Sequence, residues 1–349
     1  MVVAVGVPPA IAVENLLETP SPTGKHVAAS VLTAVARVGN RLVGVGERGV
    51  VLLSDDNAVS LRQAKVPVSI ALTNLRFVSE TKGWAVGHGG VVLTTSDGGE
   101  TWSKQLDGKQ AAQLEFDAAK ADAAAASEQG KKRIVEAQRF VAEGPDKPFL
   151  DIYFRDEANG LIVGAYGLVF ASHDGGKTWQ SLKGQIDNPK GKHLYCIYAS
   201  GSDLYVTGEQ GALYRSSDGG QRFVEVKTPY VGTYFGLIAS SAGDLLAYGL
   251  RGNVYRSSDH GASWQKIDTG MPVTITAATR MADGSLVLVD ETGRVLKSSD
   301  GGQKFAALPV PQPSPFTGVV QAADGNLVVS GLRGLTRLSL KSQPAEAKQ

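Results

Sequence analysis

The sequence predicts an all-β protein, a seven-bladed β-propeller with four-stranded blades and one helical insertion. Glycine makes up 42 of the 349 residues, about 12% against an ordinary value of about 7%, and such an excess is typical of many turns between short strands. A short motif built around an aspartate returns roughly every 41 residues along most of the chain. Each period holds four short segments with strand character, which is the repeat of a propeller blade.

The repeated motif has the form Ser/Thr-x-Asp-x-Gly, with Trp or Phe three residues after the glycine. This pattern is the Asp-box of bacterial-neuraminidase-type repeats. The aspartate can accept backbone N–H groups inside a tight turn, and the glycine can adopt the positive φ that such a turn needs. We therefore expect these aspartates to be structural, and neither catalytic acids nor calcium ligands. The clear copies contain Asp97, Asp174, Asp218, Asp259 and Asp300, and the tryptophans that end three of them are Trp102, Trp179 and Trp264.

The spacing of the motifs predicts the number of blades. With a degenerate copy at Asp55, successive aspartates are separated by 42, 77, 44, 41 and 41 residues, so the long step contains one period and an insertion of about 35. We expect seven blades within residues 13–340 and a disordered tail at 341–349. Residues 12–18 resemble the fourth strand of another repeat and are predicted to complete the seventh blade. The predicted first strands are 31–38, 71–78, 149–154, 193–199, 234–239, 274–280 and 315–321.

Aligning the seven first strands places a small or short side chain at one position of every blade. The inner strands converge on the propeller axis, so this level requires compact residues. Cys196, the single cysteine of the chain, occupies this position and is predicted to be a buried apolar residue rather than a nucleophile. The aligned residues are Ala34, Asn74, Asp151, Cys196, Gly236, Ala277 and Gly318.

Residues 107–148 form an insertion between blades two and three that is predicted to be a helical hairpin. Residues 109–128 are rich in alanine and lack proline, and residues 131–143 have an apolar stripe at helical spacing. Gly130 is expected to separate the two helices. An insertion of this length is more often functional than decorative. It is expected either to contribute to partner binding or to pack on the propeller as a lid.

Binding is expected on the face formed by the turns between the second and third strands. Loops on a rigid scaffold commonly carry function, and the topology places the insertion on the same face. Arginine and tyrosine are also preferred anchors of protein interfaces. The alternative is a set of ordinary solvated hairpin tips. The candidate binding residues are Arg48, His88, Tyr166, Glu209, Gln210, Arg251 and Arg333.

Composition argues against several classes of protein. The 35 basic and 34 acidic residues nearly balance, which is unlike a nucleic-acid-binding protein. With one cysteine, five histidines and no phosphate-binding loop, neither a metal nor a cofactor is expected.

Residues 1–12 are apolar and end in Ala-x-Ala, which is typical of the remnant of a signal peptide. We expect an exported, periplasmic monomer that does not itself span a membrane, with a cytoplasmic location as the alternative.

The Asp-boxes, together with the second strand Gly83-Trp84-Ala85-Val86-Gly87, resemble the photosystem II stability/assembly factor family, in the type found in non-photosynthetic bacteria. The resemblance covers about residues 13–340 apart from the insertion. It implies a non-catalytic binding module on the export side, whose partner is a protein, in particular a membrane protein or complex that it helps to assemble. The alternative function is a sialidase-like or other glycoside hydrolase. Sialidases, however, tend to have six blades and carry a Phe-Arg-Ile-Pro string that this chain lacks.

Overall fold

In the computed structural model, which describes residues 15–24 and 27–340, seven antiparallel sheets form a closed ring around a central channel. The innermost strand of each sheet contacts the innermost strands of both neighbouring sheets. The seven predicted first strands are confirmed within one residue at each end. They are β1 (Leu32–Val38), β5 (Leu72–Phe77), β9 (Phe149–Phe154), β13 (Leu194–Ser200), β17 (Tyr234–Ala239), β21 (Ile275–Arg280) and β25 (Phe316–Gln321).

The second and third strands are almost entirely buried because they lie between neighbouring blades, and their sequences are correspondingly short apolar runs. The third strand of blade seven is the exception, since three of its five residues are partly or fully exposed. The second strands are β2 (Arg41–Gly46), β6 (Gly83–Gly87), β10 (Gly160–Gly164), β14 (Asp203–Gly208), β18 (Leu245–Gly249), β22 (Leu286–Asp290) and β26 (Leu327–Gly331). The third strands are β3 (Val51–Ser54), β7 (Val92–Thr95), β11 (Val169–Ser172), β15 (Leu213–Ser216), β19 (Val254–Ser257), β23 (Val295–Ser298) and β27 (Gly334–Leu338).

Six blades have an outer fourth strand, whereas the described part of blade seven has three strands, β25–β27. The fourth strands are β4 (Arg62–Gln63), β8 (Ser103–Leu106), β12 (Gln180–Ser181), β16 (Val224–Glu225), β20 (Gln265–Ile267) and β24 (Ala306–Leu308).

The predicted closure of blade seven by residues 12–18 is wrong for the part that the structure describes, and residues 12–14 lie outside it. Residues 15–18 form a turn, and the Leu16 carbonyl accepts the Ser69 N–H at 2.8 Å, in the connection between blades one and two. Leu17 is only 6% exposed and packs in the apolar core of these blades. Burial of this leucine therefore outweighs the strand pattern of the segment.

Every first strand carries a β-bulge at the same level, just before the position of the aligned small residues. The bulge leaves one residue unpaired near the start of the strand and increases the local twist. The aligned small residues pair with the second strand immediately after it, as Ala34 does with Val45. The sequence alignment of the seven blades is therefore confirmed residue by residue.

The insertion is a helical hairpin as predicted, but its break lies elsewhere. The helices are α1 (Gly108–Ala121) and α2 (Glu128–Glu143), and Gly130 lies in the first turn of α2. The Ser127 hydroxyl caps this helix by accepting the Gly130 N–H at 3.0 Å. A side chain at Gly130 would come within 2.1 Å of the Ala124 carbonyl. The glycine therefore permits a close approach of the connecting loop instead of interrupting the helix.

Candidate protein-binding face

The turns between the second and third strands lie on one face of the ring, which we call the upper face. The turn at His88 adjoins the start of α1, because a side chain on Gly90 would strike the Gly108 backbone. The turn at Tyr166 touches α2, since its ring centroid lies 5.6 Å from that of Phe140. The helical hairpin therefore emerges on the upper face, as its position in the sequence predicts.

Five of these turns hold their central residue in the left-handed region, and four of those residues are not glycine. A left-handed backbone costs a non-glycine residue about 1–2 kcal/mol, and such residues concentrate at functional loops. The same hydrogen bond closes each turn, as when the Val50 N–H donates to the Glu47 carbonyl at 3.0 Å. The four residues are Arg48 (φ 55°), Tyr166 (φ 56°), Gln210 (φ 53°) and Arg251 (φ 57°).

The seven candidate binding residues differ in exposure and in the blade to which they belong. Side chains of six candidates are exposed at the turn tips, and Tyr166 is the least exposed of them at 36%. Glu209 is half-buried, and its carboxylate accepts the His193 N–H at 2.9 Å, so it positions the neighbouring loop. Arg48 and Arg333 belong to adjacent blades, whereas Arg251 is separated from them by blade six. In the described part of the chain none of the three guanidinium groups forms a salt bridge.

One cluster of side chains joins the upper face to the hairpin. The Tyr166 ring lies 5.0 Å from the His193 ring and 5.3 Å from the ammonium group of Lys147. This ammonium group also lies 5.2 Å from the Phe140 ring. Burial opposes its charge, but the carboxylates of Asp146 and Glu143 prevail and raise the pKa of Lys147. The cluster thus offers an exposed aromatic surface beside a retained positive charge. We call these residues, Phe140, Lys147, Tyr166 and His193, the Tyr166 cluster.

A buried ion pair joins the two helices of the hairpin, and its carboxylate also binds blade three. Glu115 of α1 is fully buried and binds the Arg133 guanidinium with two contacts, at 2.9 and 3.0 Å. Its carboxylate also accepts the Ser181 hydroxyl of β12. Burial opposes the charge of Arg133, but Glu115 and Asp122 raise its pKa. The bidentate pair fixes the two helices relative to each other, and the bonds from Ser181 to Glu115 and from Lys183 to Glu136 hold the hairpin on blade three.

A second aromatic group lies at the upper mouth of the channel and was missed by the sequence analysis. Tyr195 and Phe235 occupy the bulge position of blades four and five, and their rings meet edge to face at 5.3 Å. Both are half-buried. Burial and the Glu209 carboxylate raise the pKa of Tyr195. The signal was present in the alignment, because the equivalent position of blades one, two, six and seven is threonine.

The Asp-boxes join third and fourth strands on the opposite face, which we call the Asp-box face. In blade three the Ser172 hydroxyl donates to Asp174 at 2.9 Å, and Asp174 accepts the Thr178 N–H and hydroxyl at 2.9 and 2.6 Å. These bonds lower the pKa of Asp174 to about 2, and the bond from the Thr178 hydroxyl contributes most. In the degenerate copy Asp56 rather than Asp55 takes this place, accepting the Ser60 N–H at 2.9 Å. The bond from the backbone N–H four residues later recurs at Asp97, Asp218, Asp259 and Asp300.

Comparison with known proteins identifies relatives of the chain. The sequence pattern of the family described as "Photosynthesis system II assembly factor YCF48" matches residues 53–136 and 135–310. The photosystem II assembly lipoprotein Ycf48 of Synechococcus sp. (strain CC9902) is 30% identical over 84 residues, which are 23% of this chain and 25% of that protein. The match thus spans about a quarter of the length of this curated relative.

Solved structures with the same fold include two YCF48 proteins and an enzyme. YCF48 bound to a D1 peptide has a TM-score of 0.66 at 16% identity, covering 90% of this chain and 94% of that one. YCF48 from Cyanidioschyzon merolae has a TM-score of 0.63 at 14% identity, covering 91% and 97%. Streptogramin B lyase has a TM-score of 0.68 at 12% identity, covering 92% and 97%. The fold alone therefore does not distinguish a binding protein from an enzyme. Among the described residues, every helix is too short or too polar to cross a membrane.

Proposed function

Since the chain belongs to the photosystem II assembly factor family described as YCF48, we propose that it is a non-catalytic propeller that binds a segment of a membrane protein during assembly of a complex. The binding surface is the upper face beside the helical hairpin. The observation that carries this proposal is the Tyr166 cluster, in which an exposed aromatic ring and a buried cation join a propeller turn to the hairpin. A structure of a YCF48 protein with a D1 peptide supports a peptide as the ligand.

The upper face has the chemistry that an extended peptide requires. The exposed tips of Arg48, Arg251 and Arg333 can donate hydrogen bonds to backbone carbonyls and carboxylates. Tyr195 and Phe235 at the channel mouth can receive an apolar side chain. The turns that carry these tips are held by backbone bonds and repeat from blade to blade. A rigid surface of this kind loses little conformational entropy on binding.

We further propose that the protein is exported and meets its partner on the outer side of a membrane. The lipoprotein name of the Synechococcus relative supports this location. The apolar residues 1–12 have the composition of a signal-peptide remnant, and their structure lies outside the described residues.

The proposal is tested by the affinity of the full chain for a labelled D1 peptide, measured by fluorescence anisotropy. Tyr166→Ala is expected to weaken binding by about tenfold or more, because it removes an exposed aromatic anchor that the bound peptide would bury. Arg251→Ser is expected to weaken it less. Arg222→Ser is the matched control, because Arg222 is an exposed arginine in the Asp-box of blade four, on the opposite face. Equal losses for Arg222→Ser and Arg251→Ser, or no saturable binding by the unaltered chain, would contradict the proposal.

A second experiment addresses the partner in its membrane. Cross-linking from position 166, followed by mass spectrometry of solubilised membranes, is expected to give one recurrent membrane protein with the unaltered upper face. A Lys147→Met variant, which removes the charge beside Tyr166, is expected to reduce that product. Family membership does not favour the glycoside hydrolase alternative. Turnover of sialosides or aryl glycosides by the pure protein would nevertheless overturn the non-catalytic function.

A further inference from the structure

A depression of about 650 Å³ lies on the Asp-box face, at the edge of the central channel. It is bounded by the ends of the first strands and the turns that follow them in blades five, six, seven and one. Acidic residues are absent from its described lining, whereas two arginines contribute to it. We call this depression the lower mouth. The residues that matter for its chemistry are Arg37, Ser241, Thr279, Arg280 and Gln321.

The two arginines and the glutamine occupy one equivalent position in three consecutive blades. Arg280, Gln321 and Arg37 each pair with the first leucine of the second strand, in blades six, seven and one respectively. The other four blades have an apolar side chain at this position. The positive charge is therefore gathered on one arc of the ring. The four apolar residues are Phe77, Phe154, Ala199 and Ala239.

Backbone carbonyls of the preceding blade hold both guanidinium groups in place. One nitrogen of Arg37, Nη1, donates to the Gln321 and Ala322 carbonyls, both at 3.2 Å. Nη1 of Arg280 donates to the Ala239 and Ser240 carbonyls at 3.4 and 3.3 Å. Each arginine thus keeps Nε and Nη2 without a protein acceptor in the described part of the chain. These groups are fixed in orientation and still able to donate.

Neither arginine has a carboxylate partner among the described residues, unlike Arg41 and Arg256 on the same face. Arg41 pairs with Asp55 at 2.6 Å, and Arg256 pairs with Asp244 at 2.7 Å. An arginine without a carboxylate can offer its planar donors to an external oxyanion. Two such groups in one concave site attract an anion more strongly than either alone.

We propose that the lower mouth binds a small polar molecule through an oxyanion, either a carboxylate or a phosphate. Arg37 and Arg280 supply the charge-assisted hydrogen bonds, and the Ser241 and Thr279 hydroxyls supply neutral ones. The site is on the face opposite the proposed peptide-binding surface. It therefore constitutes a second, separate binding function of the propeller.

The test is isothermal titration calorimetry of the full chain at low ionic strength, with citrate and with inorganic phosphate as separate probes. At least one probe is expected to bind saturably with one site per chain. Binding of citrate alone assigns the site to carboxylates, and binding of phosphate alone assigns it to phosphates. Failure of both probes to bind overturns the proposal.

Arginine variants locate the binding. Arg280→Met is expected to weaken affinity by about tenfold or more, and Arg280→Lys by less, because lysine keeps the charge but loses the planar fork. Arg222→Met makes the same change of charge on the Asp-box face but outside the described lining of the lower mouth, and it is expected to leave anion binding unchanged. An equal loss with Arg222→Met would mean that general charge, not the lower mouth, attracts the anion, and would overturn the proposal. A thermal melting curve recorded without citrate or phosphate shows whether Arg280→Met still folds. If it does not, the weaker loss with Arg280→Lys is used to locate the site. Affinity of Arg280→Lys for the D1 peptide reports on the upper face alone, so the two functions can fail separately.

Discussion

Two arcs of the ring join their blades in different ways. In the arc from blade six through seven and one to two, a threonine at the bulge position donates its hydroxyl to a backbone carbonyl of the next blade. The distance is 2.7 Å at each of these four seams, which we call the threonine seams. In blades three, four and five the position is Leu150, Tyr195 or Phe235, and the connection is made elsewhere.

At the remaining three seams, which we call the acceptor seams, the contact is made at the level just after the bulge. The side chain belongs either to the first strand or to the residue that pairs with it on the second strand. The Asp151 carboxylate of blade three accepts the Ile197 N–H of blade four at 2.6 Å. The Leu237 N–H faces the Cys196 thiol, and the Ala278 N–H faces the Tyr248 hydroxyl. Burial and then Asp151 raise the pKa of that thiol well above its ordinary value. At each of these seams a backbone N–H of the next blade favours the charged form of a side chain of the preceding one.

The difference shows how one architecture can leave part of its channel open for binding. At the threonine seams the bulge residue is committed to holding two blades together. At the acceptor seams a deeper residue makes the contact, so the bulge position can carry an aromatic ring. Tyr195 and Phe235 line the upper mouth for this reason, beside the turn of Glu209. The aromatic part of the proposed peptide surface, Tyr166, Tyr195 and Phe235, therefore lies on the arc with acceptor seams, whereas Arg48 and Arg333 lie on the arc with threonine seams.

The largest expected effect comes from Gly236→Ala in blade five. An added Cβ would lie 2.2 Å from the Tyr248 hydroxyl oxygen, where the two residues pair across the strands. Overpacking of this severity is expected to cost about 3 kcal/mol in the free energy of unfolding, measured by urea denaturation. Adding Tyr248→Val recreates the Ala34–Val45 pair of blade one and should recover part of the loss. A double variant no more stable than the single one would show that the clash is not the cause.

A pH dependence of nearly the same size is expected from Asp151. Burial raises the pKa of its carboxyl from the ordinary 3.8 to about 6, against the N–H groups of Ile197 and Ile152 that favour the charged form. Because the folded-state pKa lies above the unfolded one, this contribution to stability is present at low pH and is lost as pH rises through about 6. A pKa difference of this size between the folded and unfolded states corresponds to roughly 3 kcal/mol in the free energy of unfolding. The midpoint of urea unfolding is therefore expected to fall between about pH 4 and pH 7, the interval that contains both pKa values.

The control for this pH dependence is Asp151→Asn, which has no charge to titrate. Its stability should change less between about pH 4 and pH 7 than that of the unaltered chain. The opposite sign is expected for Asp174, whose pKa is lowered to about 2, so its contribution is lost only as pH falls below about 4. An unchanged pH slope in Asp151→Asn would remove Asp151 as the source.

The smallest expected effect is that of a single threonine seam. Thr317→Val keeps the shape of the side chain but removes the bond to the Leu32 carbonyl, where blade seven meets blade one. A loss of about 1–2 kcal/mol in the free energy of unfolding is expected. Tyr195→Phe is the matched control, because it also removes one hydroxyl at the bulge position and that hydroxyl has no hydrogen-bond partner in the described residues. Equal losses in the free energy of unfolding for Thr317→Val and Tyr195→Phe would show that the threonine hydroxyl stabilises its seam no more than a hydroxyl without a partner does.

Much of this fold could be predicted because its signals are local. An Asp-box closes through bonds between residues four apart, as with Asp174 and Thr178, so its sequence suffices to identify the turn. The repeat then places the strands and the equivalent positions of the blades. The candidate turn residues follow from the same register. The Tyr166 cluster was only half predicted, since Tyr166 was a candidate but its neighbours Phe140, Lys147 and His193 are distant in sequence.

The sequence by itself determined the number of blades, the place of the insertion and the face from which it emerges, because each depends on short-range patterns that repeat. The tertiary structure alone decided where Leu17 is buried, that Glu115 anchors the hairpin to Ser181, and that Arg37 and Arg280 share one depression. Contacts between residues far apart in the chain depend on competition among all the surfaces that the fold brings together. A local pattern in the sequence carries no record of that competition.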